Sequence, residues 1–361
     1  MSLLEKTTGR IGPLDEMAMA AARARQANLT KPPGSLGRLE EISVRIAGIT
    51  GNPLPAAKRK AIIVMAGDHG IVQEGVSAYP QEVTPQMVFN FLRGGAAINV
   101  LARHVGARVV VVDVGVAAEL EPHPDLVRRK IASGTANFLK MPAMSREQAV
   151  QSLEIGIEVF EAELAKGLDI VATGDMGIGN TTASTAIAAV FTGEPVGLLT
   201  GRGTGIGDEQ LAQKARVIEE AIAFHRPDRE DALDVLAKVG GFEIGGLAGV
   251  ILGAAANRIP VVIDGFISGA AALIAVGLCP AAADYLIPAH NSVEIGHLSV
   301  LRHLDLRPLL NLELRLGEGT GAALAMSLVE ASLKILDEMA TFAEAGVSGA
   351  VEVEPSVRVT G

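Results

Sequence analysis

ARVVVVDVG, residues 107–115, is the stretch that decides the fold. Its core is four consecutive valines, and it ends in Asp-Val-Gly. A continuous run of β-branched residues, without polar alternation, is typical of a strand that is buried on both faces of a parallel sheet. A second run, AIIVMA at residues 61–66, has the same character and stops at a Gly-Asp-His-Gly turn. Both runs therefore indicate parallel strands that end at functional loops.

Outward from these runs, strand-like segments alternate with segments of helical periodicity. Strands are predicted at residues 61–66, 107–115, 127–132, 168–174, 259–265 and 283–289. Helices are predicted at residues 14–27, 36–49, 84–105, 145–166, 181–191, 208–224, 230–238, 246–256 and 321–344. This alternation predicts an α/β fold, with a mostly parallel sheet that is covered by helices on both faces.

The first helices and the last one fall outside this alternation, which predicts a small helical domain built from both chain ends. The expected division is an N-terminal helical part at residues 1–55, a large α/β catalytic domain at 56–320, and a C-terminal helix with a tail at 321–361.

Composition restricts the class of ligand. The 361 residues carry a net charge of −10, only 3% are aromatic, and Trp is absent. A basic footprint for nucleic acid and a stacking platform for single strands are both missing, so a small-molecule ligand is expected. Cys279 is the only cysteine, and the first ten residues have no long apolar run, which favours a cytoplasmic protein without a signal peptide. The uncharged stretch 266–283 is interrupted by Pro280 and is interpreted as a buried helix, not a membrane span.

The stretch TGDMGIGNTTAS, residues 173–184, joins a predicted strand to a predicted helix. Glycines such as Gly177 let the backbone turn sharply, and Asn180 and Thr181 offer hydrogen-bond donors. Backbone amides at a helix N-terminus suit a phosphate or a carboxylate. An ordinary capped turn is the alternative, but the acidic Asp175 at the strand end favours a binding site.

A second glycine-rich segment, TGRGTGIGD at residues 200–208, contains Gly203 and Thr204. Lys214 follows about two turns into the next predicted helix, from where its ammonium group can point back at an anion. A flexible loop followed by a solvated lysine is the alternative.

Two histidine-containing stretches offer potential metal ligands. His290, Glu294 and His297 are spaced i, i+4 and i+7, so they share a face if the segment is helical. The spacing is not that of HExxH, and a cap or interface role is favoured over a zinc site. Asp68 and His69 are interpreted as a polar pair at the rim of the sheet.

The stretch LRLGEGTGAALA, residues 314–325, places Glu318 in a glycine-rich turn before the last predicted helix. A carboxylate there repels a phosphate but favours a weakly acidic N–H group. In an apolar pocket its pKa is raised, and it can act as a general base near neutrality. A glutamate that caps the helix is an equal alternative.

Eight stretches in order resemble the nicotinate-nucleotide–dimethylbenzimidazole phosphoribosyltransferase family. They are KPPGSLGRLE, AGDHG, EGVSAYP, VTPQMV, GDMGIGNTT, KVGGFEIGGLAG, DGFISGAAAL and RLGEGTGAALA, and the match runs from about Lys31 to Gly346. The resemblance implies transfer of 5-phosphoribose from nicotinate mononucleotide to 5,6-dimethylbenzimidazole, in the assembly of the lower ligand of cobalamin. It further implies a homodimer with a Rossmann-like sheet and no metal or redox cofactor.

The resemblance also assigns roles to residues. Glu318 matches the family's catalytic base, and Asp175 matches its second acidic residue, which is Glu in several relatives. The nucleotide and its phosphate are expected to contact Gly177, Asn180, Thr181, Gly203, Thr204, Lys214, Asp264, Gly265, Arg315 and Gly317. The acceptor base is expected to contact Tyr79, Gln86, Met87 and Leu316. Ser292 is expected to reach the site of a partner subunit.

Two other functions are compatible with the predicted sheet. A dinucleotide-binding oxidoreductase requires the GxGxxG fingerprint after the first strand, and AGDHGIV does not supply it. A non-catalytic nucleotide-binding protein would not need Glu318.

Overall fold

A six-stranded, wholly parallel sheet forms the centre of the protein, whose computed structural model describes residues 1–203 and 205–348. The strands are β1 (Lys60–Gly67), β2 (Ala107–Gly115), β3 (Leu126–Arg128), β4 (Ile170–Met176), β5 (Val261–Ile263) and β6 (Leu286–Pro288). Their order is β3-β2-β1-β4-β5-β6, and every neighbouring pair is parallel. This is the order of a doubly wound Rossmann sheet, in which ligands bind beside the switch point between β1 and β4.

Helices surround the sheet. They are α1 (Leu3–Thr8), α2 (Glu16–Asn28), α3 (Arg38–Thr50), α4 (Val83–Leu92), α5 (Ala97–Val105), α6 (Arg146–Ala165), α7 (Asn180–Thr192), α8 (Val196–Leu199), α9 (Asp208–His225), α10 (Ala232–Val239), α11 (Phe242–Ala256), α12 (Phe266–Leu278), α13 (Ile295–His303), α14 (Thr320–Glu338) and α15 (Phe342–Ala345). The predicted α/β class is confirmed.

The two faces of the sheet are covered by different helices. Ile62 and Ile63 are both fully buried, and they belong to separate apolar clusters because successive strand residues point to opposite faces. One face packs against α6, α11 and α12, and the other against α4, α5 and α14. Helices α6 and α11 approach closely because Gly156 lacks a Cβ, which would collide with the Gly246 carbonyl.

The apolar stretch that begins at Phe266 is helix α12, and its residues are buried from Phe266 to Ala275. It lies between neighbouring helices and the sheet, as the sequence predicts. Within the described part of the chain, no helix has both the length and the apolar character that a membrane span requires.

Both chain ends meet on one side of the sheet. Helices α2 and α3 pack against each other and against α14. Arg25 Nε donates a hydrogen bond to the Leu336 carbonyl at 2.5 Å, and Leu29 forms a β-bridge with Thr341. The early turns of α14 pack on the sheet instead, and α1 packs against α6 and α11. The boundaries of a small domain at residues 55 and 321 stay a prediction.

The structure differs from the predicted elements mainly near glycines and prolines. The predicted helix 84–105 is two helices, because the chain turns at Gly94, where φ is +76°. The predicted strand 283–289 is shorter, since residues 280–285 form a 3-10 helix that begins at Pro280. Helices α1, α8 and α13 were not predicted. The predicted C-terminal tail lies, from residue 349 onward, outside the described residues.

Candidate active site

A cavity of about 320 Å³ lies at the carboxyl ends of β4, β5 and β6. It is lined by Val76, Ser77, Tyr79, Asp175, Met176, Gly177, Ile178, Gly179, Asn180, Thr181, Gly203, Gly265, Phe266, Ile267, His290, Ser292, Glu294, Arg315, Leu316 and Gly317. A larger cavity of about 570 Å³ lies between α2, α3 and the edge strand β6, away from these loops. We assign the site to the smaller cavity because it collects the residues that follow three parallel strands.

The first part of the site is the turn from β4 into α7. Gly179 has a φ of +96°, a conformation that favours glycine, and it directs the first amides of α7 toward the cavity. Asn180 Nδ2 donates a hydrogen bond to Asp175 Oδ2 at 3.0 Å. Burial raises the pKa of Asp175 well above its ordinary value, and the nearby carboxylates of Asp264 and Glu243 raise it further. Asp175 is thus held as a carboxyl group that resists ionisation.

The second part is a buried cation behind the glycine-rich segment. Lys214, on α9, is fully buried. Its Nζ donates hydrogen bonds to Thr181 Oγ1 at 2.8 Å and to the Gly201 carbonyl at 3.2 Å. Burial lowers the pKa of Lys214 to about 8, against the opposing effect of Glu294. The ammonium group therefore joins the start of α7 to the 200–203 segment, and it is charged at neutral pH.

The third part is a strained turn before α14. Gly317, Glu318 and Gly319 have φ values of +81°, +63° and +93°. Glu318 is not a glycine, so its conformation costs about 1 kcal/mol or more. The turn is held by Asp264, whose two carboxylate oxygens accept hydrogen bonds from the amides of Gly319 at 3.2 Å and Ala322 at 2.9 Å. Strain that is held by a buried carboxylate indicates a functional turn.

The Glu318 carboxylate lies at the edge of the cavity, on the side of α4 and α5. It is 5% exposed, and its Oε2 accepts a hydrogen bond from the amide of Ile98, in the first turn of α5, at 3.2 Å. Burial raises the pKa of Glu318, and the Ile98 amide offsets part of this effect. Ile98 shares an apolar cluster with Met87 and with Met176, which lines the cavity. The carboxylate therefore stands beside an apolar region that is continuous with the cavity.

The structure brings most of the predicted site residues together. Ten of them line the cavity: Tyr79, Asp175, Gly177, Asn180, Thr181, Gly203, Gly265, Arg315, Leu316 and Gly317. Lys214, Asp264 and Glu318 are buried directly behind these residues. Gln86 is exposed and Met87 half-buried on α4, outside the lining. Thr204 lies outside the described residues.

Several residues near the cavity were not predicted in their observed arrangement. Ser292 lines the cavity of its own chain. His69 is fully buried, and its Nε2 lies 2.6 Å from Glu243 Oε1. The interpretation of Asp68 and His69 as a mutual pair is therefore wrong, because Asp68 instead accepts a hydrogen bond from Thr84 at 2.7 Å. The tertiary partners on α4 and α11 carry no sequence signal that could have identified them.

The spacing of His290, Glu294 and His297 does not place them on one helical face. Helix α13 begins only at Ile295, so His290 and Glu294 precede it. His297 Nδ1 instead accepts a hydrogen bond from the Ser292 amide at 3.0 Å. Among the described residues, no group of three or more His, Cys, Asp or Glu side chains is arranged to hold a metal ion.

Comparison with known proteins identifies the family. A family model described as phosphoribosyltransferase matches residues 11–347. The chain belongs to this phosphoribosyltransferase family. The phosphoribosyltransferase is 67% identical over 352 residues to a nicotinate-nucleotide–dimethylbenzimidazole phosphoribosyltransferase of Roseiflexus sp. (strain RS-1), covering 98% of this chain and 100% of that one. It is 66% identical over 348 residues to a protein of the same name from Chloroflexus aggregans (strain MD-66 / DSM 9485), covering 96% and 99% of the two chains.

Solved structures agree with this family assignment. The phosphoribosyltransferase superimposes on the crystal structure of CobT from Thermus thermophilus with a TM-score of 0.90 and 49% identity, covering 92% of this chain and 100% of that one. The Rossmann-like sheet predicted from the sequence is therefore confirmed in both its topology and its relatives.

Proposed function

We propose that this phosphoribosyltransferase transfers 5-phosphoribose from nicotinate mononucleotide to 5,6-dimethylbenzimidazole, in the assembly of the lower ligand of cobalamin. The products are α-ribazole 5′-phosphate and nicotinate. Relatives with this named activity align over nearly the whole chain. The observation that carries the proposal is Glu318, a buried carboxylate of raised pKa in a strained turn, beside a cavity with anion-binding features. Family membership in the phosphoribosyltransferases replaces the oxidoreductase alternative.

The nucleotide phosphate is proposed to bind between the start of α7 and the segment at Gly203. Helix N-terminal amides from Asn180 onward supply donors and a partial positive charge. Lys214 and Arg315 supply formal charge, and Arg315 already donates a hydrogen bond to the Gly203 carbonyl at 3.3 Å. These local groups hold a phosphate despite the net charge of −10 on the whole chain.

The acceptor base is proposed to bind between Tyr79, Leu316 and the Met87 side of the site, with its N–H group toward Glu318. One ring nitrogen attacks C1′ of the ribose with its lone pair. The bond from C1′ to the nicotinate nitrogen breaks, and its electron pair neutralises the pyridinium. The proton on the other ring nitrogen becomes acidic as the new bond forms, and Glu318 accepts it. Attack from the face opposite to nicotinate converts the β linkage into an α linkage.

Asp175 and Asp264 are proposed to support this chemistry without taking the proton. Asp264 fixes the Glu318 turn through the two amides that it accepts. Asp175 lines the cavity, close enough to Glu318 for that carboxylate to raise its pKa. A carboxyl group here can stabilise positive charge that develops on the ribose, a contribution that depends on alignment.

A direct assay tests the proposed reaction. We expect the purified protein, incubated with nicotinate mononucleotide and 5,6-dimethylbenzimidazole, to release nicotinate and α-ribazole 5′-phosphate in equal amounts. Chromatography with mass spectrometry measures both products. Release of nicotinate that is independent of the acceptor would indicate hydrolysis of the nucleotide and contradict the proposal.

We further propose that the enzyme is a homodimer, which uses an apolar surface next to the cavity. Val293, Ile295 and Leu298 are 47%, 59% and 41% exposed, and Leu198 on the neighbouring α8 is 63% exposed. Such a patch is larger than the scattered apolar residues of an ordinary surface, and it marks an interface. The cytoplasmic location stays a prediction.

The change Ile295→Glu is expected to convert this dimer into monomers, because it buries an unpaired charge in each half of a symmetric interface. Sedimentation velocity measures the change in mass. Leu54→Glu is the matched control, since Leu54 is 43% exposed in the segment between α3 and β1, away from this surface. A monomeric native protein, or an unchanged mass in Ile295→Glu, would show that this surface is not the dimer interface.

A further inference from the structure

A carboxylate stands in the region that the nucleotide phosphate is proposed to enter. Glu294, the residue directly before α13, lines the cavity but is only 8% exposed. Its Oε2 atom is buried against Gly201 and accepts no hydrogen bond from any described residue. A buried, half-satisfied carboxylate costs free energy, and such a group calls for a physical explanation.

The groups around Glu294 are the same groups that are proposed to hold the phosphate. The backbone amide of Gly203 donates a hydrogen bond to the carboxylate, and Lys214 and Arg315 attract it. Each of these interactions favours a negative charge at this place. A phosphate that binds to the same three groups must therefore compete with Glu294 for them.

Other charges around Glu294 do not alter this balance. Helices α7, α8 and α12, which pack against α13, carry no titratable side chain. His297 on α13 is neutral, because burial lowers its pKa to about 3. His290 also lines the cavity, and burial lowers its pKa as well. Lys214 and Arg315 are thus the cations that determine whether Glu294 is charged.

We propose that Glu294 is a built-in anion that occupies the empty phosphate pocket and takes up a proton from solvent when the nucleotide phosphate binds to Lys214, Arg315 and the Gly203 amide. This inference rests on the proposed function and adds a specificity device to it. Burial already raises the pKa of Glu294, and an incoming phosphate both adds a like charge and engages its two cations. Small dianions such as inorganic phosphate gain no contacts from a nucleoside, so the buried carboxylate selects against them.

Isothermal titration calorimetry at pH 7.0, in buffers of different ionisation enthalpy, tests the inference with nicotinate mononucleotide as the probe. We expect the native protein to take up a substantial fraction of one proton per nucleotide bound, and to take up none with nicotinate riboside, which lacks the phosphate. In Glu294→Gln the uptake is expected to disappear. Affinity for the nucleotide and for inorganic phosphate should increase by about tenfold, since one like charge is removed. Glu294→Ala provides a second neutral variant if the glutamine protein does not fold.

The alternatives have distinct results. If Glu294 instead accepts a hydrogen bond from a ribose hydroxyl, both neutral variants bind the nucleotide more weakly, and the inference is wrong. Proton uptake that persists in both variants would assign the proton to Lys214 or to the phosphate itself, which also overturns it. If the native protein binds no nicotinate mononucleotide at all, the proposed function fails and the inference fails with it.

Discussion

Replacing Glu318 by glutamine is expected to lower kcat by about 10²- to 10⁴-fold, the usual contribution of a positioned general base. Glutamine has nearly the same volume, and its amide oxygen can still accept the hydrogen bond from Ile98. The strained turn is fixed by Asp264, not by the Glu318 side chain, so the fold should persist. The loss should therefore appear in turnover, with the KM for nicotinate mononucleotide changed little.

Steady-state kinetics and thermal melting together measure this effect. Glu313→Gln is the matched control, because Glu313 lies in the same segment before α14 but is exposed to solvent. It should retain native turnover and native stability. A Glu318→Gln enzyme with native turnover would refute the assignment of the base, and a large fall in its melting temperature would mean that Glu318 acts mainly as a structural cap.

The pH profile of the native enzyme should report the same carboxylate. Glu318 must be ionised to accept a proton, so activity is lost as pH falls through its pKa. Because burial raises this pKa, the acid limb is expected at a higher pH than for an exposed glutamate. The limb should be absent from the residual activity of Glu318→Gln.

Local patterns were sufficient to predict the sheet. Strand β2 has the bounds that its valine run predicts, since a strand buried on both faces needs only a continuous apolar run. The glycine-rich loops after β4 and before α14 were also predicted, because turns of positive φ leave a glycine signal. The strand order was not readable from the sequence, because it depends on which strands pair across long crossovers.

The arrangement behind the cavity depends on contacts between distant residues. Lys214 has the spacing of an ordinary solvated lysine, and only the packing of α9 against α7 makes it a buried cation. The pairing of His69 with Glu243 joins residues that are 174 positions apart. Glu294 was predicted to be part of a cap or an interface, because its carboxylate gains its meaning only from the Gly203 segment that folds over it. Such electrostatic settings come from tertiary structure, which a single sequence does not encode locally.

Lys214→Met is expected to raise the KM for nicotinate mononucleotide by about 10²-fold, as a lost charge-assisted contact to a phosphate costs roughly 2–3 kcal/mol. Methionine fills a similar volume, so the buried position should remain packed. Turnover at saturating nucleotide should change less than KM, because the ammonium group lies beside Thr181 and Gly201, apart from the reacting nitrogen atoms. Lys238→Met, which removes an ion pair with Asp234 on α10, is the control and should keep the native KM.

The pKa of Lys214 gives this prediction a second, independent measurement. Burial lowers the pKa to about 8, so the cation is present below that pH and is lost above it. The value of kcat/KM for the nucleotide reports the free enzyme, and it should fall about tenfold for each pH unit above 8. In Lys214→Met this alkaline limb should vanish, since no proton remains to be lost there. A limb that persists in the variant would assign it to another group, and phosphate binding would then depend on Arg315 and the amides of α7 alone.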